Sequence, residues 1–236
     1  MKKPSRILEN YRGEENDRIV HLVKWNILQY VGQIKKYFFR QDDLIINRKF
    51  AHVGCGGNVF PNFVNIDCHT TQSIFSFGLD QIFRWDLRNR LPFRENTFEG
   101  VFSEHCMEHL NPWDSYSLLF DIFRVLQPGG VVRIIVPDAE KYVEFYNRRR
   151  AGSDTTDMAE FNSWQSGAEA LRGLTCYLGH YTLFDFELLR DMCLEVGFCD
   201  ITRSSFGISK VKELNKDAED RAWNSLYLEA KKPLVL

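Results

Sequence analysis

The chain lacks three features that would place it in a specialised class of protein. Its six cysteines show no C-x-x-C spacing, which argues against a structural zinc site. It has no stretch near the ~18 uncharged residues that a membrane-spanning helix needs, so no integral membrane association is predicted. Its first residues lack the apolar core of a signal peptide, and a cytoplasmic location is expected.

A marked excess of positive charge is also missing. The 236 residues carry a formal net charge of −2, which argues against general nucleic-acid binding, since that usually depends on a basic field. Hydrophobic residues make up 44% of the chain and charged residues 26%, as is ordinary for a globular protein. A chain of this length can bury a sizeable core, and we expect one domain with appendages.

The most informative stretch is a glycine-rich turn between two apolar runs. The run 50–53 leads directly into Gly54-Cys55-Gly56-Gly57-Asn58, and a second run ends on Asp67. Glycines at the tip of a strand let a ligand approach the backbone. An acid at the tip of the next parallel strand can accept hydrogen bonds from both hydroxyls of a ribose. The pattern predicts a pocket for a cofactor that carries adenosine.

The spacing of this pattern selects among such cofactors. The nicotinamide fingerprint G-x-G-x-x-G has its acid about 20 residues further on, whereas Asp67 follows Gly56 by eleven residues. This spacing leaves little room for the helix whose N-terminus binds a pyrophosphate. A cofactor with a ribose and no phosphate fits better, and S-adenosylmethionine is the obvious one. A nicotinamide-dependent enzyme is the less favoured alternative.

Further motifs follow in an order that resembles a known family. Asp86-Leu87 precedes Leu91-Pro92-Phe93, then an apolar run ends in Ser103-Glu104-His105, and Pro128-Gly129-Gly130 comes later. The ordered set resembles the class I S-adenosylmethionine-dependent methyltransferases over roughly residues 48–206. It is most similar to the small enzymes often found among bacterial surface-polysaccharide biosynthesis proteins.

The resemblance implies an α/β fold, doubly wound, with a mostly parallel Rossmann-like sheet and an antiparallel closing strand at 225–230. It implies S-adenosyl-L-methionine as cofactor, bound by residues at the strand ends, namely Gly54, Cys55, Gly56, Asp67, Asp86, Leu87, Ser103, Glu104 and His105. The family often has an acid where this chain has His52 and a third glycine where it has Asn58, both beside the methionine part of the cofactor.

Hydrophobic periodicity divides the chain into an N-terminal extension and the methyltransferase domain. The extension, residues 1–40, contains an amphipathic helix at 17–40, and the domain occupies residues 41–236. The helix is expected to pack on its own domain, and docking to a protein partner or peripherally to a membrane surface is the alternative. Residues 151–181 are irregular in pattern and form an insertion suited to a substrate lid.

Within the domain, strand and helix signals alternate. Strands are predicted near 50–54, 63–67, 82–86, 99–103 and 131–136, and helices near 113–126, 138–150 and 185–197. The link between the first two strands is only about eight residues long, whereas a parallel crossover usually takes a dozen or more. Either the crossover helix is reduced to a single turn, or one strand is misplaced.

Histidines near the strand ends are the candidates for acid–base chemistry. Methyl transfer from a sulfonium needs mainly alignment and a dry pocket, and a hydroxyl acceptor also needs a base. His105 and His180 are equal first candidates for that base, with Glu108 and Asp138 behind them. The order H-x-x-E-H that ends at His109 also occurs in inverted zinc peptidases. No third ligand is evident in the sequence, so no metal is predicted.

We therefore expect a methyltransferase that acts on a small polar acceptor, with a sugar or a glycan-biosynthesis intermediate as the favoured substrate. The altered glycine motif and the N-terminal helix motivate an alternative from another class, a non-catalytic methyltransferase-fold scaffold or partner protein. Binding of the cofactor without turnover would distinguish the two.

Overall fold

The computed structural model describes residues 48–67, 82–176 and 179–234. The predicted N-terminal extension and its helix lie outside these residues. The described part forms a seven-stranded sheet in the order β3-β2-β1-β4-β5-β7-β6. The strands are β1 Phe50–Val53, β2 Phe63–Asp67, β3 Ile82–Arg84, β4 Phe98–Glu104, β5 Leu126–Pro137, β6 Cys199–Arg203 and β7 Ser225–Lys231.

Strand direction follows the pattern expected of a doubly wound methyltransferase sheet. The pairings among β1 to β5 are all parallel, while β7 pairs antiparallel with β5 on one side and with β6 on the other. The predicted fold class, with its antiparallel closing strand, is therefore confirmed. In the described part of the chain, no helix is long and apolar enough to cross a membrane.

Helices are placed by caps that the sequence encodes. The α-helices are α1 Pro112–Val125, α2 Ala139–Ala151, α3 Gly167–Cys176 and α4 Phe186–Val196. The side chains of Asn111, Asp138 and Asp185 each accept a hydrogen bond from a backbone N–H in the first turn of α1, α2 and α4. Gly197 ends α4 in the left-handed region at φ +109°, as predicted.

The strand predicted near 131–136 begins earlier than expected. It runs from Leu126 to Pro137 as β5, directly after α1 ends at Val125, and includes Pro128-Gly129-Gly130. The reason is pairing with the C-terminal residues. The Gly129 N–H donates to the Lys232 carbonyl, and the Lys232 N–H donates to the Gly130 carbonyl.

The insertion at 151–181 is more regular than predicted. It contains α3, which packs against α2 around a separate apolar cluster formed by Tyr142, Phe145, Met158, Phe161, Ala170 and Leu174. The insertion therefore packs on α2 through a small core that the two segments share.

The short link between β1 and β2 is present in the structure, and both strands lie where they were predicted. Residues 54–62, all within the described part, connect the two parallel strands by turns alone, without a helix. Phe60 folds back so that its ring stacks on His52 at a centroid distance of 4.5 Å and an angle of 9°. The Asn65 side chain holds this turn by bonding to both the N–H and the carbonyl of Phe60.

A buried ion cluster joins the sheet to the segment that precedes β7. Arg133, on β5, has no exposed surface and forms two hydrogen bonds with the Asp217 carboxylate, at 2.8 and 2.5 Å. It also bonds to Glu229 on β7 at 3.1 Å and to the carbonyls of Ser205 and Ile208. Because a buried guanidinium needs all of these partners, the cluster pins residues 205–217 over one face of the sheet.

Candidate active site

The glycine turn and Asp67 meet at the carboxyl ends of β1 and β2. The N–H groups of Gly54 and Cys55 donate to the Ile66 carbonyl at 2.9 and 3.1 Å. The Gly56 N–H donates to Asp67 Oδ2 at 2.8 Å, and the aspartate is 9% exposed. The two motifs that the sequence placed eleven residues apart therefore form one feature of the sheet edge.

Gly54 and Gly56 are required for different reasons. Gly54 has φ +73°, and a Cβ there would lie 2.2 Å from the Cys106 Sγ, so only glycine lets this turn pack on the segment after β4. Gly56 has φ +52°, and among the described residues no atom lies within 4 Å of the Cβ it lacks. The open backbone at Gly56, beside a carboxylate, fits the ribose side of S-adenosylmethionine.

The loop after β3 lies beside this edge, and its side chains already contact other groups of the protein. The Trp85 N–H donates to the Asp67 carbonyl at 3.2 Å. The Asp86 carboxylate accepts hydrogen bonds from the backbone and guanidinium of Arg88, at 2.8 to 3.0 Å. The Leu87 side chain packs in the main core. An adenine contact through Asp86 would therefore share that carboxylate with Arg88.

Ser103, Glu104 and His105 continue from β4 at the same edge, but their side chains have different surroundings. The Ser103 hydroxyl is buried without a hydrogen-bond partner among the described residues. Glu104 accepts a bond from the Ala218 N–H at 2.9 Å, and burial raises the pKa of its carboxyl above the ordinary value. His105 has φ +47°, and its Nε2 lies 2.8 Å from the Ser225 hydroxyl.

Glu108 is the centre of a histidine cluster that the sequence did not reveal. The residues Met107–His109 form one 3-10 turn, so His105 and His109 do not share an α-helical face. Glu108 is 1% exposed, with His105 Nδ1 at 3.3 Å and His109 Nε2 at 3.9 Å from its Oε1. His180 completes the cluster, with its ring centroid 4.9 Å from that of His109.

Backbone contacts bring the end of the insertion to this cluster. The N–H groups of Tyr181 and Thr182 both donate to the Glu108 carbonyl, at 2.7 and 3.1 Å. The Thr182 hydroxyl donates to the Leu110 carbonyl at 2.7 Å. The turn after β4 therefore serves as the docking point for the residues that carry His180.

The two candidate bases differ once their ring contacts are known. His105 Nε2 lies 2.8 Å from the Ser225 hydroxyl, and its Nδ1 lies 3.3 Å from the buried Glu108 carboxylate. His180 Nδ1 lies 2.8 Å from the Leu174 carbonyl, which can only accept, so the proton is on Nδ1 and neutral His180 has its lone pair on Nε2. Burial lowers the pKa of His180. His180 is therefore the preferred candidate for the base in the proposal below.

The charge of Glu108 is set by opposing effects. Burial on its own raises the pKa of the carboxyl, but the surrounding histidines outweigh it, and the pKa of Glu108 is lowered below the ordinary value. Glu108 is therefore an ionised carboxylate enclosed by imidazoles. Its position after a strand end was visible in the sequence, whereas its burial was not.

His52 lies where the family often has an acid, and its ring is packed against aromatic side chains. It is 2% exposed, stacked on Phe60 and in edge contact with Phe102 at 5.1 Å. Burial lowers the pKa of His52 to about 4, so the ring is neutral at pH 7. This position therefore carries no charge toward the cofactor.

Comparison with known proteins gives one family match and one curated relative. Residues 52–134 match the family model described as a methyltransferase domain. The ubiquinone/menaquinone biosynthesis C-methyltransferase UbiE of Desulfotalea psychrophila is 32% identical over 116 residues, which is 41% of this chain and 46% of that protein. The chain thus matches less than half the length of this relative. Neither match singles out the surface-polysaccharide enzymes that the motifs suggested.

Two solved structures are similar to this chain. A Thermotoga maritima structure described as a SAM-dependent methyltransferase, possible histamine N-methyltransferase, has a TM-score of 0.50 and 12% identity, covering 87% of this chain and 97% of its own. A SAM-dependent methyltransferase from Archaeoglobus fulgidus has a TM-score of 0.49 and 16% identity, covering 87% and 94%. Residues 52–134 thus match a methyltransferase domain, and the described residues share the fold of a solved S-adenosylmethionine-dependent methyltransferase.

Proposed function

We propose that the protein transfers the methyl group of S-adenosylmethionine to a small polar acceptor. The observation that carries this proposal is the hydrogen bond between Gly56 and Asp67 at the carboxyl edge of the sheet, on which the Glu108 histidine cluster also lies. In open α/β sheets, ligands bind beyond the carboxyl ends of the strands. Cofactor and acceptor groups therefore share one edge.

The cofactor supplies an activated methyl group on a sulfonium, so the protein residues mainly bind and align. Asp67 accepts hydrogen bonds from the ribose hydroxyls, and the open backbone at Gly56 allows close approach. The loop at Asp86-Leu87 frames the adenine, and Ser103, Glu104 and His105 line the opposite side. These roles rest on the position of each residue at a strand end.

The proton of a hydroxyl acceptor leaves through His180. Its Nε2 carries the lone pair in the neutral ring, because Nδ1 is bonded to the Leu174 carbonyl. The ionised Glu108 carboxylate stabilises the imidazolium that forms. Tyr181, next in the chain, is 60% exposed and offers an aromatic face beside this base. Residues 151–181 act as the lid that brings both to the acceptor.

A cleft next to the cluster supports a polar acceptor. It has a volume of about 470 Å³ and is lined by charged and polar groups, among them Asp138, Lys141, Arg203 and Ser225. Ser225 also bonds to His105, which places the cleft beside the Glu108 cluster. A sugar or glycan intermediate matches the charged lining and the size, which is typical of small-molecule sites.

A carbon acceptor is the second candidate, because the curated relative is a C-methyltransferase named for ubiquinone and menaquinone biosynthesis. A quinol ring would present an activated carbon rather than a hydroxyl. The charged cleft favours the polar acceptor, and direct turnover measurements decide between the two.

Binding and turnover test the proposal together. Calorimetry with S-adenosylhomocysteine and NAD should show binding of the first and none of the second. Asp67→Ala should weaken S-adenosylhomocysteine binding by about 1.5–3 kcal/mol, the scale of a hydrogen bond to a charged group. Asp191→Ala, which removes an acid exposed on α4, is the matched control and should leave affinity unchanged.

Turnover is then measured with methyl-labelled cofactor against activated sugars, small amines and quinols. Transfer to a sugar supports the proposal, and transfer only to a quinol carbon replaces it with the second candidate. Tight cofactor binding without transfer to any acceptor would favour a non-catalytic scaffold. Stronger binding of NAD than of S-adenosylhomocysteine would overturn the cofactor assignment.

A further inference from the structure

We propose that Glu108, His109 and His180 form a binding site for a divalent transition-metal ion of the zinc type. One ligand atom from each of the three residues lies within 4.8 Å of the other two. The sequence showed the H-x-x-E-H order from His105 to His109 but no third ligand. The insertion provides the third ligand, His180. The N–H groups of Tyr181 and Thr182 bond to the Glu108 carbonyl and so bring His180 close to Glu108.

The Glu108 carboxylate lacks the hydrogen bonds that a buried acid needs. It is 1% exposed, and neither oxygen has a hydrogen-bond partner among the described residues. His105 Nδ1 approaches Oε1 to 3.3 Å without hydrogen-bond alignment, and His109 Nε2 lies 3.9 Å away. A buried carboxylate in such surroundings is costly unless a cation is bound beside it.

The two imidazoles are oriented as metal ligands are. His180 Nδ1 lies 2.8 Å and His109 Nδ1 3.4 Å from a backbone carbonyl, those of Leu174 and Gly179. A carbonyl only accepts, so both rings carry a proton on Nδ1 and, when neutral, a lone pair on Nε2. This outer contact is the arrangement that fixes the tautomer of metal-bound histidines.

The lone pair of His109 then faces another acceptor. In the neutral ring its Nε2 lies opposite Glu108 Oε1, and two acceptors repel unless a proton or a cation lies between them. A metal ion bound by both atoms and by His180 Nε2 would remove this repulsion and neutralise the carboxylate. The competing explanation is a second proton on His109, which would make an ion pair with Glu108.

The donor set indicates the kind of ion. Two imidazole nitrogens and one carboxylate oxygen are the ligands of catalytic zinc sites, which keep a fourth position open for water or substrate. Glu108 is buried while both histidines are partly exposed, so the open position faces solvent. If the proposed function holds, a metal ion there would lower the pKa of a bound acceptor hydroxyl, so that its proton could pass to solvent water, and His180 would hold the metal instead of taking the proton.

Metal binding is tested without reference to activity. The full chain is stripped with EDTA and titrated with Zn²⁺ by calorimetry and with Co²⁺ by visible absorption. We expect one equivalent of metal in the wild type. Glu108→Gln and His180→Gln should each weaken binding by more than the roughly 10- to 100-fold that loss of an outer partner costs. Cys176→Ser, which removes an exposed thiol four residues before His180, is the control and should bind as the wild type does.

Several outcomes would overturn the site. The first is that the wild type binds no stoichiometric metal, and the second is that all variants bind equally well. The third is loss of binding in Cys176→Ser, which would show that the thiol binds the metal. Circular dichroism checks that each variant folds. If Glu108→Gln does not fold, His180→Gln still tests the site, because His180 is partly exposed. A failed titration with intact methyl transfer would return His180 to the role of base. Metal binding without methyl transfer would overturn the proposed function alone.

Discussion

The Gly56 N–H donates a 2.8 Å hydrogen bond to the Asp67 carboxylate. This bond ties the turn after β1 to the tip of β2 and fixes the orientation of one carboxylate oxygen. Because β1 and β2 are parallel neighbours, their carboxyl ends lie at one edge of the sheet. The proposed ribose site therefore depends on a contact between the ends of two neighbouring parallel strands.

Gly56→Ala should weaken cofactor binding more than it weakens the fold. The left-handed φ of +52° costs an alanine about 1 kcal/mol of stability, and its methyl group would enter the open space expected to receive the cofactor. We expect at least about tenfold lower affinity for S-adenosylhomocysteine by calorimetry. Gly57→Ala is the matched control, since no atom of the described residues lies within 4 Å of its missing Cβ and its φ is not positive. Equal losses in both variants would contradict the role of Gly56.

His52 should make the fold sensitive to mild acid. Its pKa is lowered by burial from 6.5 to about 4, so the unfolded chain takes up a proton below pH 6.5 that the folded chain resists until pH 4. Stability is therefore complete above pH 6.5 and falls as the pH drops toward 4. Between pH 7.5 and 5.0 this residue alone should account for about 2 kcal/mol of lost unfolding free energy.

Urea unfolding of wild type and His52→Phe at both pH values measures this effect. Phenylalanine keeps the stacking on Phe60 and cannot be protonated. Between pH 7.5 and 5.0, His52→Phe should lose about 2 kcal/mol less unfolding free energy than the wild type. Parallel losses in the two proteins would show that His52 does not titrate in this range.

Asp217→Ala should be among the most damaging changes to a polar residue. It removes the carboxylate that pairs with the fully buried Arg133 through two hydrogen bonds, leaving Glu229 as the remaining acid. Breaking a buried pair in this way costs about 3–5 kcal/mol. Denaturant unfolding measures the change, with exposed Asp220→Ala as the control. A loss below 1 kcal/mol would mean that the cluster does not pin residues 205–217.

The two candidate bases should respond differently to substitution by glutamine. His180→Gln should lower turnover by about 10²- to 10⁴-fold while S-adenosylhomocysteine affinity is retained, because a proton acceptor is lost. His105→Gln should mainly lower the free energy of unfolding, by about 1–3 kcal/mol, since its ring bonds to Ser225 beside Glu108. Single-turnover rates and thermal unfolding of both variants give the comparison. The reverse pattern would reinstate His105 as the base.

Local signals in the sequence predicted much of this molecule. Alternating apolar runs located the strands, and capping residues such as Asp185 and Gly197 set the limits of α4. The position of Asp67 beside the glycine turn followed from strand direction alone. These predictions succeeded because periodicity, caps and glycine turns act over a few residues.

Sequence signals failed where contacts depend on distant chain segments. A strand was predicted near 131–136, but β5 also includes residues 128–130, where the backbones of Gly129 and Gly130 bond to that of Lys232. Residues 151–181 looked irregular, yet α3 forms because Ala170 and Leu174 pack on α2. Local propensity could not anticipate either partner.

The sequence by itself determined the doubly wound sheet and the meeting of the glycine turn with Asp67, because parallel neighbouring strands bring their carboxyl ends to one edge. Only the tertiary structure decided the chemistry of the Glu108 cluster. His180 reaches Glu108 across 71 residues of chain, through an insertion whose path depends on the small core that it shares with α2. Burial and convergence of this kind arise from packing between segments, which no local pattern encodes.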